Sequence, residues 1–185
     1  MLGFTVALTL LQIVVSEIRL DLWRDQPLLE SGELWRLVTP LLIQYDAVRN
    51  AVVVLVLIAV VGTAVERVYG AGRWLVTYLI CGVIGQACGY LWAPPDAGAS
   101  VAGAGLVGAL CVWVLMPRTR APLPPRTGAI IPFSGGLALT AVHDMHGPPL
   151  LAGYALVVSM HTSVPRAHPH RTRHRPPAAR VDDEP

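Results

Sequence analysis

Two residues of this sequence have the types and settings to pass a proton between them, Ser100 and His146. Ser100 follows Gly98-Ala99 where an apolar, charge-free run begins, just beyond the turn Ala93-Pro94-Pro95-Asp96. A serine there occupies a helix N-terminus, whose unpaired N–H groups and positive dipole end favour a developing oxyanion. His146 opens a second apolar run, and Gly153 follows it by seven residues, on the same helical face. Ser100, Ala104 and Gly108 are spaced by four and also share a face. A face that small lets another helix approach closely in lipid. An imidazole docked against it could take the Ser100 hydroxyl proton, and such a dyad needs no acid where packing holds the ring. The plainer alternatives are a serine that only caps its helix and a histidine that, beside His143 and Asp144, is an ordinary loop residue.

Other candidates carry less chemistry. Cys81, Cys88 and Cys111 are odd in number, lie in apolar runs and lack metal-ligand spacing, so they read as small core residues. Glu66 and Arg67 read as a helix-ending pair at an interface, and Trp35 with Arg36 as an interfacial anchor. No metal, cofactor or nucleic-acid partner is expected.

The elements that must position these residues belong in a bilayer. Of 185 residues, 54% are hydrophobic and only 14% charged, against about 25% charged in a soluble domain. The charges are segregated: 51–65 and 75–95 carry none, as expected where burying an ion in hydrocarbon costs several kcal/mol. Every basic residue is arginine, which with abundant Ala, Val, Gly and Pro hints at a GC-rich bacterial genome. Six apolar segments follow, at 2–18, 50–65, 74–92, 99–116, 127–142 and 147–160. The first reads as a retained helix, since it lacks a basic start and a small-residue cleavage site. A shorter apolar stretch, 37–43, cannot span. Several segments fall below the roughly 20 residues of a perpendicular crossing. Segments five and six are therefore either a re-entrant hairpin or true spans in a locally thinned bilayer.

Loop charge gives the orientation. Arg67 and Arg73, then Arg118, Arg120 and Arg126, then the arginines of the tail mark one side; the loops holding Asp96 and Asp144 mark the other. The positive-inside rule places both termini in the cytoplasm and puts Ser100 and His146 on the same, external side. The expected architecture is an all-α, six-crossing membrane domain over 1–161. A disordered tail, rich in Pro, Arg and His, covers 162–185 and lies near anionic headgroups.

The motifs in their order resemble the rhomboid family of intramembrane serine proteases. Trp35-Arg36-Leu37-Val38-Thr39 is similar to the Trp-Arg-x-x-Thr of the first loop. Gly62, Glu66 and Gly70 match a Gly-x-x-x-Glu-x-x-x-Gly pattern. Gly98-Ala99-Ser100 matches the Gly-x-Ser nucleophile motif, with Gly108 eight residues on, and His146 to Gly153 matches the His-x6-Gly pattern. The resemblance implies a six-helix bundle that cleaves the transmembrane segments of other membrane proteins, with Ser100 as nucleophile, His146 as general base and Glu66 as a structural hydrogen-bonding residue. It also implies a site sunk below the membrane surface and fed by water, for which short helices are expected. Three departures stand out. Counting back from Glu66, the histidine of the oxyanion motif falls on Asn50 and its asparagine on Val54. Gln44 stands where a histidine is common, and Ala104 where a tyrosine often stacks on the imidazole. The two functional readings are a protease whose oxyanion hole is reduced to Asn50 and backbone N–H groups around Gly98 and Ser100, and an inactive rhomboid-like protein that binds transmembrane segments.

Overall fold

The computed structural model of the chain describes residues 21–44, 49–92, 98–116 and 123–162, with side chains except at 49–50, 123–127 and 161–162. The first apolar segment, the turn at 93–97, the loop at 117–122 and the tail from 163 lie outside the described residues. What is described is all-helical. A short α1 (Gln26–Glu30) is followed by two 3₁₀ turns, Leu34–Leu37 and Thr39–Leu41. A long helix then runs as α2 (Arg49–Leu57), a π-turn (Ile58–Gly62) and α3 (Thr63–Tyr69). After it come α4 (Ala71–Trp92), α5 (Ser100–Leu115), α6 (Leu123–Ala141) and α7 (Gly147–Thr162).

The centre of the bundle is α5. It is apolar on every side, which fits only a helix surrounded by others, and α4, α6 and α7 pack around it. Val101, Leu106 and Ala109 are fully buried within it. The contact between α5 and α7 is backbone on backbone. A Cβ added to Gly153 would overlap the carbonyl oxygen of Gly105, and one added to Gly108 would overlap that of Leu150. Glycine is required there by proximity, not by dihedral angle.

The outer surfaces carry Val52, Val53, Val56 and Val60 on the long helix and Ile130, Ile131 and Leu137 on α6, an apolar exterior of the kind that meets lipid. Among the described residues, 51–69 and 71–92 have the length and mean hydropathy (2.3 and 1.5) to cross a membrane, whereas α5 and the apolar parts of α6 and α7 are shorter. Segments five and six are thus two separate helices joined by the turn 142–146. The apolar stretch 37–43 is no partial span. It folds into the 3₁₀ turn and buries Pro40, Leu41 and Ile43, with Leu41 seated in the notch left by Gly82 on α4.

Two glycines of the 62–70 motif have visible reasons. At Gly70, φ is +83°, the conformation that ends α3, and its N–H donates to the Glu66 carbonyl at 2.7 Å. At Gly62, the indole nitrogen of Trp74 lies 3.0 Å from where a Cβ would stand. Glu66 itself is exposed. Its backbone carbonyl takes the bond that closes the helix.

Candidate active site

Gly98, Ala99 and Ser100 lead into α5. The Gly98 N–H donates to the Pro40 carbonyl at 2.9 Å, which ties this segment to the 3₁₀ turn. Ser100 is the first residue of the helix and Ala99 its cap, with no side-chain cap bond. The first-turn N–H groups have no intrahelical acceptor and point to the end where Ser100 Oγ stands.

His146 immediately precedes α7. Its Nε2 lies 2.9 Å from Ser100 Oγ. Two helices whose sequences are 46 residues apart are thus joined at their N-termini by the one pair able to exchange a proton. The glycine contacts described above set the spacing between these helices, so the Ser–His distance follows from backbone packing one and two turns away.

A third group, in the loop that precedes His146, completes the arrangement. The Oδ1 atom of Asp144 accepts from the His146 backbone N–H at 2.8 Å and lies 2.8 Å from His146 Nδ1. Burial raises the Asp144 carboxyl, but the hydrogen bonds and charge of His146 outweigh it and hold the group below its ordinary value. The turn that presents Asp144 is a helix stop. The His143 N–H donates to the Thr140 carbonyl, the Asp144 N–H donates to that of Leu139, and His143 takes φ +60°. This is the pattern in which the residue after the cap turns left-handed. Glycine usually fills that place, and His143 fills it here with its ring edge-on to Trp92, centroids 5.2 Å apart.

A buried polar strut lies behind the pair. Arg24 is 1% exposed, and its NH1 donates to Gln86 Oε1 at 2.9 Å and contacts Met145 Sδ at 3.6 Å. Gln86 Nε2 in turn donates to the Gly98 carbonyl at 3.4 Å. One guanidinium therefore braces both the segment carrying the serine and the turn carrying the histidine. The notch it occupies is Gly89, where a Cβ would collide with it. Sequence reasoning missed both residues. The signal for Gln86 was its amide inside an otherwise uncharged run; Arg24 offered none.

Gln44 is fully buried near Ser100. The point where a Cβ on Gly98 would stand is 3.3 Å from Ser100 Oγ and 3.4 Å from Gln44 Oε1. A carboxamide carries N–H donors as well as that acceptor oxygen. Val54 is 2% exposed and donates nothing. Asn50 lies in α2, with its side chain outside the described residues. Trp35 is exposed, as an interfacial anchor requires. Arg36 is not: it is buried, with Nε 2.6 Å from Glu33 Oε2 and NH1 on the Trp23 carbonyl at 3.1 Å. It holds the first loop together from within, its charge paired with Glu33. Cys81 and Cys111 are buried and Cys88 is partly buried.

The Rhomboid domain family matches residues 31–157, more than half of the chain. This chain belongs to the Rhomboid family. The matched region holds Trp35, Arg36, Asn50, Glu66, Gly98, Ser100, Gly108, His146 and Gly153. Two curated rhomboids are similar to it. Rhomboid protease GluP of Bacillus subtilis (strain 168) is 42% identical over 96 residues, 51% of this chain and 19% of that protein. Rhomboid-like protease 3 of Toxoplasma gondii is 33% identical over 90 residues, 48% of this chain and 34% of that protein. The matches therefore cover about a third or less of each relative's length. Rhomboids are membrane proteins, and the apolar helices described above accord with that.

Proposed function

We propose that this rhomboid is an intramembrane serine endopeptidase that cuts transmembrane segments of other membrane proteins, with six crossings, both termini in the cytoplasm and a Pro/Arg/His-rich tail over 162–185. The observation that carries the reading is the 2.9 Å contact between Ser100 Oγ and His146 Nε2 at the N-terminus of α5. In the proposed mechanism, Nε2 takes the Oγ proton as Oγ bonds to the scissile carbonyl carbon. The imidazolium gives that proton to the leaving amine, the C–N bond breaks, and an acyl-enzyme remains. Water then attacks the acyl carbon and gives a proton to Nε2; the C–Oγ bond breaks, Nε2 returns the proton to Oγ, and the new carboxylic acid end leaves with Ser100 regenerated.

Length supports a sunken site. The sixteen residues of α5 extend about 24 Å at ~1.5 Å per residue, less than the ~30 Å of hydrocarbon. Ser100 can thus start inside the bilayer, where the half-exposed Asp144–His146 turn admits water.

The oxyanion would be held by the Ser100 N–H and by side-chain amides from Asn50 and Gln44. Gln44→Met keeps most of the volume and removes the donor, so kcat is expected to fall about 10²-fold with KM little changed. Asn50→Ala is expected to cut turnover more than it cuts thermal stability. Steady-state cleavage of a model transmembrane substrate beside a melting curve in detergent checks both; unchanged turnover in either variant removes that residue from the oxyanion hole.

The buried Val54 side chain, at the place of an oxyanion donor, favours a second reading, an inactive rhomboid that binds transmembrane segments. A serine-reactive fluorophosphonate separates the two. The protease reading expects labelling of wild type and none of Ser100→Ala, with cleavage lost in His146→Ala. Equal labelling of wild type and Ser100→Ala, without cleavage, would leave the binding reading standing.

A further inference from the structure

We propose that Asp144 is a positioning residue for the reaction, forming with Ser100 and His146 a three-residue set in which its carboxylate fixes the imidazole and stabilises its protonated form. The inference rests on the protease reading above. An ionised carboxylate can only accept hydrogen bonds. With Asp144 Oδ1 at 2.8 Å, Nδ1 must carry the hydrogen, which leaves the Nε2 lone pair facing Ser100 Oγ at 2.9 Å. That is the tautomer a general base needs. The ring has little else to hold it, because among the described residues no aromatic ring stacks on it and position 104 is alanine.

A simple turn would explain only the bond from the His146 backbone N–H to Oδ1. The second bond, to the ring, goes beyond that. It depends on the left-handed His143, a conformation uncommon outside glycine and asparagine, which sets where Asp144 starts. When Oγ gives up its proton to Nε2, Nδ1–H stays on the ring and the positive charge is balanced by the carboxylate 2.8 Å away. The other titratable and charged groups described around the pair are Ser100 on α5, His143 in the turn against Trp92 of α4, and Arg24 against Met145.

The size of the effect is limited by water. The two side chains are 35% and 41% exposed, so loss of the carboxylate is expected to cost about 10²-fold in kcat, below the ~10⁴ of a fully buried soluble triad. Full-length protein in detergent would carry Asp144→Ala and Asp144→Asn. Asp144→Ala is expected to lose kcat with KM unchanged. In Asp144→Asn one oxygen can still accept both bonds but the charge is gone. Its kcat is expected to lie between. If Asp144 only shapes the turn, Asp144→Ala melts earlier while Asp144→Asn keeps the wild-type kcat, and the inference is overturned. Nitrogen-15 spectra of labelled histidine, with His146 assigned through His146→Ala, read the same point without cleavage. Wild type is expected to show the Nδ1–H form and Asp144→Ala a mixture. A mixture in wild type overturns the role of Asp144 alone, whereas a single Nδ1–H form in a protein that neither cleaves nor labels overturns the protease reading alone.

Discussion

Ser100→Ala and His146→Ala are each expected to abolish cleavage of a transmembrane substrate, and the double variant to be no worse than either single one. The reason is that the two side chains act as one unit across a 2.9 Å contact. Without Oγ there is nothing to bond to the scissile carbon. Without Nε2 the hydroxyl keeps its proton and is a poor nucleophile. In a soluble serine protease the loss of either member costs about 10⁶-fold in kcat, and the losses do not add. On the protease reading, a loss of that size takes both variants to background. Both substitutions remove partly exposed polar atoms, so folding should survive; the melting temperature in detergent checks this. Additive losses, or residual turnover in Ser100→Ala, would show that another nucleophile is at work.

Gly153→Val is expected to damage both stability and turnover, the latter more. Gly153 touches neither Ser100 nor His146. It lies two turns along α7 from His146, at the place where that helix meets α5 backbone to backbone. A side chain there must displace the Gly105 carbonyl, whose carbon would be 2.9 Å from the new Cβ. Main chain cannot yield as the end of a flexible side chain can, so the helices must part. Overpacking of this kind costs about 1–3 kcal/mol. The kinetic cost is larger, since a shift of ~1 Å in a reacting group can cost about 10²-fold. Gly153→Ala should follow in the same direction with a smaller loss. Parallel melting and cleavage assays decide it: a Gly153→Val protein with wild-type turnover would mean that the Ser–His distance is not set by this contact.

Much of this was legible in the chain because it is written locally. A small face after Ser100 and a glycine seven residues after His146 are periodic signals, and they correspond to the helices that meet. Five of the apolar runs match described helices to within a few residues. One discrepancy is the start of α6. It begins at Leu123, earlier than the apolar pattern, because Pro124 and Pro125 fall in the first turn, where a missing N–H costs nothing. What stayed hidden depends on conformation or on distance along the chain. Asp144 stood two residues from His146, yet its value hinges on the left-handed His143, which no composition reveals. Arg24 and Gln86 meet across 62 residues. Arg36 looked like an anchor because an arginine beside a tryptophan usually is one; its burial follows from Glu33 three residues earlier.

The guanidinium of Arg24 bears on when the site comes into being. Its contacts reach residues near positions 86, 98 and 145, so they can form only after the whole span between them has been synthesised and inserted. Until then the serine segment lacks its brace through Gln86 and the histidine turn lacks Met145's neighbour. A chain still leaving the ribosome therefore holds Ser100 and His146 apart, which on the proposed protease reading keeps the site idle while its own helices are unpaired.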